Sequence, residues 1–188
     1  TIDVSPYEII VVDDGSDKPI EFEGIKNIRH PNKKGVCAAF DTGVKEAQYD
    51  NLIIMGCDIR FIKNLWASKM LNTINNDPQS IVCTNCVALR RDKDPKNMDV
   101  AHRAKIKKTS GATILFYHTK KDDKNRSKNY KSILQAKWLP RDNRAGLIEV
   151  PCVLGAVYAI KKEWYNYIDG FWGHKQWGCL EPYISLKS

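Results

Sequence analysis

Two acidic segments in this 188-residue sequence each follow directly on a short apolar run. Asp13 and Asp14 close the first run, and Asp58 stands just after the run Asn51–Met55. Such runs are typical of strands buried on both faces of a parallel sheet, where ligands bind beyond the carboxyl ends of the strands. Carboxylates there can accept hydrogen bonds from a nucleoside or hold a divalent cation. The sequence therefore predicts a nucleotide and metal site at these adjacent strand ends, although Asp13–Ser16 is also good turn chemistry and Asp58 can equally cap a helix.

A third acid, Glu181, is the best candidate for a catalytic base. It is the only acidic residue between Asp169 and the last residue of the sequence. A carboxylate in this role takes the proton from an attacking hydroxyl group or orients the acceptor that carries it. His174 is the alternative base or metal ligand, although a lone histidine is more often neither.

The elements that must position these residues alternate between strands and helices, which predicts an α/β fold with a sheet that is parallel in its first half. Apolar residues at helical spacing predict helices over 35–48, 62–75 and 161–167, and a further helix that begins at Glu181. Apolar and β-branched runs predict strands over 8–13, 51–55, 80–89, 112–117 and 153–160. The very polar stretch 118–131 is expected to be a mobile loop.

The basic residues are concentrated in one segment of the chain, 90–131. This segment carries 14 Lys and Arg against 5 Asp and Glu, whereas the rest of the chain carries 16 against 17. A patch of this kind attracts polyanions or steers an anionic ligand, and the alternative is a solvated insertion.

The six cysteines are scattered and lie mostly in apolar runs. This distribution is typical of free thiols in a reducing compartment, so we expect a cytoplasmic protein, although an even number of cysteines also permits disulfides. The sequence contains no run of 18 apolar residues and no signal-peptide pattern at its start, so we expect no transmembrane segment.

Three blocks of sequence carry a resemblance to a known family. They are Glu8-Ile-Ile-Val-Val-Asp-Asp-Gly-Ser-Asp17, then Gly35–Asp58, then Gly155–Ile160 together with Trp177–Leu186. In this order they resemble family-two-type glycosyltransferases with the GT-A fold. The third block is similar to the acceptor-side region of polypeptide N-acetylgalactosaminyltransferases and their bacterial or viral relatives. The resemblance covers most of the chain except roughly residues 90 to 145.

The resemblance implies a single GT-A catalytic domain over residues 1–188, with a mixed, mainly parallel sheet flanked by helices and a basic insertion at about 90–131. It implies that Asp13 and Asp14 bind the uracil and ribose of a UDP-sugar, and that Asp58 holds a Mn²⁺ or Mg²⁺ ion on the diphosphate. Gly56 stands where the family has the first acid of its Asp-x-Asp element. The remaining residues implied for the donor site are Ser16, Asp41, Gly155, Ala156 and Trp177, and Glu181 is the implied catalytic residue.

The family's first strand and its late active-site loop would lie outside these residues, so we expect a fragment that is incomplete at both ends. The expected reaction is metal-dependent transfer of a hexose or N-acetylhexosamine from a UDP-sugar to a hydroxyl group of a glycan, a protein or another acceptor. Two alternatives stay open. One is a nucleotidyltransferase of similar fold, and the other is a non-catalytic module that binds a polyanion through 90–131.

Overall fold

The structure, a computed structural model, describes residues 2–59, 61, 63–87, 108–116, 134–140, 146–155, 157–174 and 180–188. These residues contain eight strands and four helices. In chain order they are β1 (Ile10–Asp13), β2 (Lys26–Arg29), α1 (Val36–Glu46), β3 (Asn51–Met55), α2 (Trp66–Asn76), β4 (Val82–Cys83), β5 (Cys86–Val87), β6 (Lys108–Phe116), β7 (Leu134–Pro140), β8 (Val157–Lys161), α3 (Lys162–Tyr167) and α4 (Leu180–Lys187).

The described strands form three small sheets, which confirms the α/β class. β1 pairs with β2 in parallel, β8 lies between β3 and β4, and β6 lies between β5 and β7. The pairs formed by β3, β4 and β8 and by β5, β6 and β7 are all antiparallel. The predicted parallel pairing is therefore found between β1 and β2, but it is wrong for β3, because the neighbour of β3 is a strand that returns from much later in the chain. β1 and β3 also lie in different described sheets, so their ends are not neighbours within one sheet.

The packing of β8 shows how the centre of the molecule is built. Successive side chains of a strand point to opposite faces, and both faces of β8 are buried. Val157 and Ala159 pack against Met70 and Ile74 of α2. The opposite face joins the larger core cluster. The members of this cluster come from β8, α1, β3, α3, α4, the segment before β8 and the loop that follows α3 (Cys37, Val44, Leu52, Val153, Tyr158, Ile160, Tyr165, Ile168, Phe171, Leu180 and Ile184).

Most predicted elements are present with shifted boundaries. α2 begins at Trp66 rather than at residue 62, because Leu65 takes a left-handed conformation with φ 58° immediately before it. The backbone N–H groups of Ala67 and Ser68 donate to the Asp3 carboxylate, which therefore caps α2. The strand predicted over 80–89 is divided into β4 and β5, and the strand predicted over 153–160 begins only at Val157.

The sequence pattern failed to predict β2 and β7, and the loop predicted over 118–131 lies outside the described residues. The basic segment 90–131 also lies largely outside them, apart from β6. None of the helices that the structure describes is long and apolar enough to cross a membrane.

Candidate functional site

Asp13, the last residue of β1, is buried at the start of the turn that follows this strand. Its Oδ1 atom accepts the Ser16 N–H at 2.9 Å, and its Oδ2 atom accepts the Ile20 N–H at 3.3 Å and pairs with Arg29. Hydrogen bonds from Ser16, then from Ile20, and the charge of Arg29 lower the pKa of Asp13 from 3.8 to about 2 in spite of its burial. Both carboxylate oxygens therefore hold the protein's own turn, and sequence reasoning missed Arg29, which reaches Asp13 from β2.

Asp14 binds the segment that leads into α1. Its Oδ1 atom accepts the Lys34 N–H at 2.9 Å and its Oδ2 atom accepts the Gly35 N–H at 2.8 Å. The Nδ1 atom of buried His30 lies 2.7 Å from Oδ1, and the Nε2 atom of His30 lies 2.9 Å from the Thr42 hydroxyl. Burial works to raise the pKa of Asp14, but the hydrogen bonds from His30, Lys34 and Gly35 lower it overall. The contact with His30 has no signal in the sequence, because it joins residues 16 positions apart.

The turn after β1 packs directly on the segment that leads into α1. Gly15 has φ 73°, and a Cβ atom at this position would lie 2.9 Å from the backbone nitrogen of Lys33. A side chain would therefore meet both a strained backbone and a steric clash. Ser16 adds a further tie, because its carbonyl oxygen accepts a hydrogen bond from Arg29 at 2.6 Å. The residues predicted to bind the nucleoside thus form one connected structure with the start of α1.

Asp58 lies in a different setting from Asp13 and Asp14 at the end of β1. It is exposed, and within the described residues it makes no hydrogen bond or ion pair. The antiparallel register pairs Met55 with Val157. Because Asp58 comes three residues after Met55 and Gly155 comes two residues before Val157, the register brings the end of β3 and the segment before β8 to the same edge of the sheet.

Glu181, the second residue of α4, also lies at this edge. Its Oε1 atom accepts a hydrogen bond from the hydroxyl of Tyr158 at 3.2 Å. A Cβ atom at Gly155 would lie only 2.0 Å from the same Oε1 atom. Gly155 was expected to allow a close approach of the donor sugar. The described contact explains the glycine in another way, because the absence of a side chain leaves space for the Glu181 carboxylate. Sequence reasoning identified Gly155 and Glu181 but missed Tyr158, which the pattern showed only as part of a strand.

Helix α4 contacts two separate segments of the chain, one on each of two faces. Residues four apart lie on the same face of a helix, and Ser185 shares the Glu181 face, where its hydroxyl accepts the Val153 N–H at 3.0 Å. On another face, Tyr183 donates to the backbone of Trp172, and Lys187 donates to the carbonyl oxygens of Asp169 and Gly170. The helix therefore fixes both the segment before β8 and the loop after α3.

Asp41 was predicted to bind the donor, and the structure places it on α1 facing α3. Its Oδ1 atom accepts hydrogen bonds from the Tyr165 hydroxyl and from the Phe171 N–H. Burial, and then the contact with Asp41, raise the pKa of Tyr165, so its hydroxyl stays protonated and keeps donating. Asp41 thus anchors the loop after α3, and its role in donor binding stays a prediction.

The first turn of α1 carries a buried thiol. Burial raises the pKa of Cys37 to about 12, and the negative charges of Asp41 and Glu181 contribute to this rise. The backbone N–H of Gly35, two residues earlier, donates to Asp14.

A metal ion at this site would have few protein ligands. Among the described residues, no three His, Cys, Asp or Glu side chains are grouped so that they could hold a metal ion. Asp58 fits as one such ligand, because its carboxylate is exposed and makes no hydrogen bond or ion pair within the described part of the chain. Mg²⁺ and Mn²⁺ accept such a site when diphosphate oxygens and water complete the coordination.

Two of the predicted donor-site residues, Ala156 and Trp177, lie outside the described residues. A cavity of about 420 Å³ opens elsewhere, beside Tyr7, Lys26 and Gln48. Since β1 and β2 begin there, it lies at the opposite end of these strands from Asp13.

A comparison with known families identifies the class of the protein. The family model described as "Glycosyl transferase family 2" matches residues 3–168. The chain therefore belongs to glycosyl transferase family 2 and has the GT-A fold of that family. It is a glycosyltransferase, which uses a nucleotide-sugar donor and an acceptor. No curated protein matches the chain, and the finer resemblance to polypeptide N-acetylgalactosaminyltransferases stays a prediction.

Proposed function

We propose that this glycosyltransferase moves a hexose or an N-acetylhexosamine from a UDP-sugar to a hydroxyl group of its acceptor. The observation that carries the proposal is that the register of β3 and β8 brings the end of β3, which Asp58 follows, to the same edge of the sheet as Gly155, which contacts Glu181. Here one carboxylate is free for a metal ion and another is held in place for proton transfer. Membership of family 2 favours glycosyl transfer over the alternative of nucleotidyl transfer.

The acids after β1 contribute to this function by shaping the donor site. Asp13 holds the turn that follows β1, and Asp14 ties that turn to the start of α1. The lone pairs of Asp13 and Asp14 are largely occupied by protein donors, so a nucleoside contact uses the remaining acceptor capacity or the surrounding backbone. In this proposal the main role of the two acids is to hold the backbone around the nucleoside site, and their direct hydrogen bonds to the nucleoside are secondary.

Asp58 is the proposed ligand of a Mn²⁺ or Mg²⁺ ion, together with the diphosphate oxygens of the donor. The ion would stabilise the negative charge that develops on the departing UDP. Glu181 would accept the proton of the attacking hydroxyl group, because it is the described acid next to Gly155 with an oxygen left over for that proton.

Calorimetry with UDP tests the metal site. We expect Mn²⁺ to tighten UDP binding to the parent protein, and we expect Asp58→Asn to reduce this enhancement at least about tenfold. Loss of a partner that merely orients a metal ligand already costs about 10–100-fold in metal affinity. Asp50→Asn is the matched control, because Asp50 is also exposed and precedes the opposite end of β3.

Equal enhancement by Mn²⁺ in the parent and in Asp58→Asn would show that the metal site is elsewhere. Heparin is the comparison ligand, because the excess of basic residues in 90–131 favours contact with a polyanion. Binding of heparin without any binding of UDP would favour the non-catalytic module over the enzyme.

A further inference from the structure

We propose that Tyr158 is a positioning residue, which holds one oxygen of the Glu181 carboxylate and leaves the other oxygen to receive the proton of the acceptor. The inference rests on the proposed function of Glu181 as the base. In this inference Tyr158 acts on the reaction only through Glu181, and Gly155 provides the space in which the two side chains meet.

The position of the Tyr158 hydroxyl is fixed by the strand that carries it. Tyr158 belongs to the central strand of its sheet, where it is paired with Ile54 of β3 on one side and with Cys83 of β4 on the other. Its side chain is only 4% exposed, and its ring centre lies 6.4 Å from that of buried Phe171. A strand paired on both edges and a packed ring leave the hydroxyl little freedom, so its hydrogen bond orients the carboxylate that accepts it.

Gly155 makes room for this hydrogen bond. A Cβ atom at position 155 would lie 2.0 Å from Oε1 of Glu181 and 3.0 Å from the Tyr158 hydroxyl. Both atoms of the pair therefore occupy the space that a side chain at position 155 would fill. The glycine allows the carboxylate to reach the tyrosine, and any larger residue would push the carboxylate away from it.

Of the two groups in this pair, Glu181 is the one that can receive the proton of the acceptor. Burial, and then the negative charge of Glu181, raise the pKa of the Tyr158 hydroxyl, so this group stays protonated and donates. Within the described residues Oε1 is the Glu181 atom that accepts this bond, and Oε2 accepts none.

In the reaction, the acceptor oxygen forms a bond to the anomeric carbon of the donor sugar. The bond from that carbon to the diphosphate breaks, UDP leaves with the electron pair, and the acceptor proton goes to Oε2 of Glu181. Tyr158 neither gains nor loses a proton in this step, so its removal changes the orientation of the base and not the chemistry.

The test is the rate of UDP release from UDP-glucose, UDP-galactose and their N-acetylated counterparts, with methyl glycosides and water as acceptors. We expect Tyr158→Phe to lower kcat about 10- to 100-fold, the range that a misplaced catalytic group costs, while the Kd for UDP stays within about twofold of the parent value. A variant that distorted the donor site as a whole would change both kcat and the Kd for UDP.

Tyr165→Phe is the matched control. Tyr165 is also a buried tyrosine whose hydroxyl donates to a carboxylate, but its partner is Asp41. We expect Tyr165→Phe to lower thermal stability as Tyr158→Phe does and to leave kcat unchanged. Equal losses of kcat in the two variants would overturn the inference, because a general loss of packing would then explain both.

Two further variants separate this inference from the proposed function on which it rests. Glu181→Gln should abolish UDP release, and unchanged release would refute the proposed base and this inference together. If Glu181→Gln is inactive while Tyr158→Phe keeps the parent kcat, the result supports Glu181 as the base and refutes the positioning role of Tyr158. Gly155→Ala should fold and lose kcat as Tyr158→Phe does, since it displaces the same carboxylate, and full activity of Gly155→Ala would also contradict the inference.

Discussion

The four acids of the candidate site differ in how much of their hydrogen-bonding capacity the protein already uses. Asp13 and Asp14 accept hydrogen bonds on both oxygens from groups of the turn, β2 and the start of α1. Asp58 and Glu181 instead keep at least one oxygen unbonded within the described residues. Carboxylates of the first kind stabilise a loop, whereas those of the second kind are available to a metal ion or a proton. The proposed function therefore assigns the metal ion to Asp58 and the proton transfer to Glu181.

The first prediction at this scale concerns acid stability. The pKa of Asp13 is about 2 in the folded protein against an ordinary value of 3.8. A carboxyl group with a lowered pKa contributes stability that is fully present above pH 4 and is lost as the pH falls towards 2. Asp13→Asn should therefore have a lower Tm than the parent at pH 6, and the difference should shrink as the pH falls from 4 to 2.

Thermal melts between pH 2 and pH 7 measure this difference. Asp17→Asn is the control, because Asp17 is exposed in the same turn. Asp14 also has a lowered pKa and remains in the variant, so the parent and Asp13→Asn should both lose stability in acid, the parent more steeply. A constant difference in Tm across the whole range would contradict the part assigned to Asp13.

The sequence identified the acids of the site but not their partners. Short runs and the acids that follow them are local features, and so Asp13, Asp14 and Asp58 could be found from the pattern. Their partners are distant: Arg29 is 16 residues from Asp13, and Tyr158 is 23 residues from Glu181. Such contacts depend on the register of β2 and β8, which the amino-acid pattern of a single chain does not specify.

At the scale of the elements, β8 and α2 show how the sheet is stabilised. Val157 and Ala159 on one face of β8 are covered by Met70 and Ile74, which lie four residues apart on α2. The helical spacing in α2 was visible in the sequence. The burial of β8 could be predicted too, because a continuous apolar run is typical of a strand buried on both faces.

A core substitution in α2 tests this packing. Ile74 has no exposed surface, so Ile74→Ala should lower the free energy of unfolding by about 2–5 kcal/mol. Asn72→Ala on the exposed side of the same helix should change it by less than about 0.5 kcal/mol. Urea denaturation of the three proteins gives both values, and a loss in Ile74→Ala no greater than that in Asn72→Ala would show that α2 does not cover the sheet.

The strands that the sequence missed are those without an apolar pattern. β2 reads Lys-Asn-Ile-Arg, and three of its four residues are exposed. It becomes a strand because it pairs with β1 along its whole length, from Ile10 with Lys26 to Asp13 with Arg29. Lys26 is also tied to the end of α1 by an ion pair with Glu46 at 2.9 Å. The pairing of β2 is thus a property of the assembled fold and not of its own residues.

At the scale of the whole molecule, the candidate site depends on α4, the last of the described helices. Glu181 and Ser185 contact the segment around Val153 and Tyr158, while Lys187 contacts the loop after α3. Asp41 of α1 accepts a hydrogen bond from Phe171 of the same loop. Segments that are far apart in the sequence are therefore held in one arrangement by a few side chains, and the geometry around Glu181 is a product of the complete core.

The contact between Gly155 and Glu181 has a consequence for how this protein can change during evolution. The space at position 155 is filled by the end of the side chain at position 181, so the two positions are not free to vary independently. An aspartate is shorter by one methylene group, and we expect Glu181→Asp to restore part of the activity that Gly155→Ala removes. In a library that is randomised at both positions and selected for sugar transfer, glycine should recur with glutamate and alanine with aspartate. Independent assortment of the two positions in the selected clones would contradict the described contact.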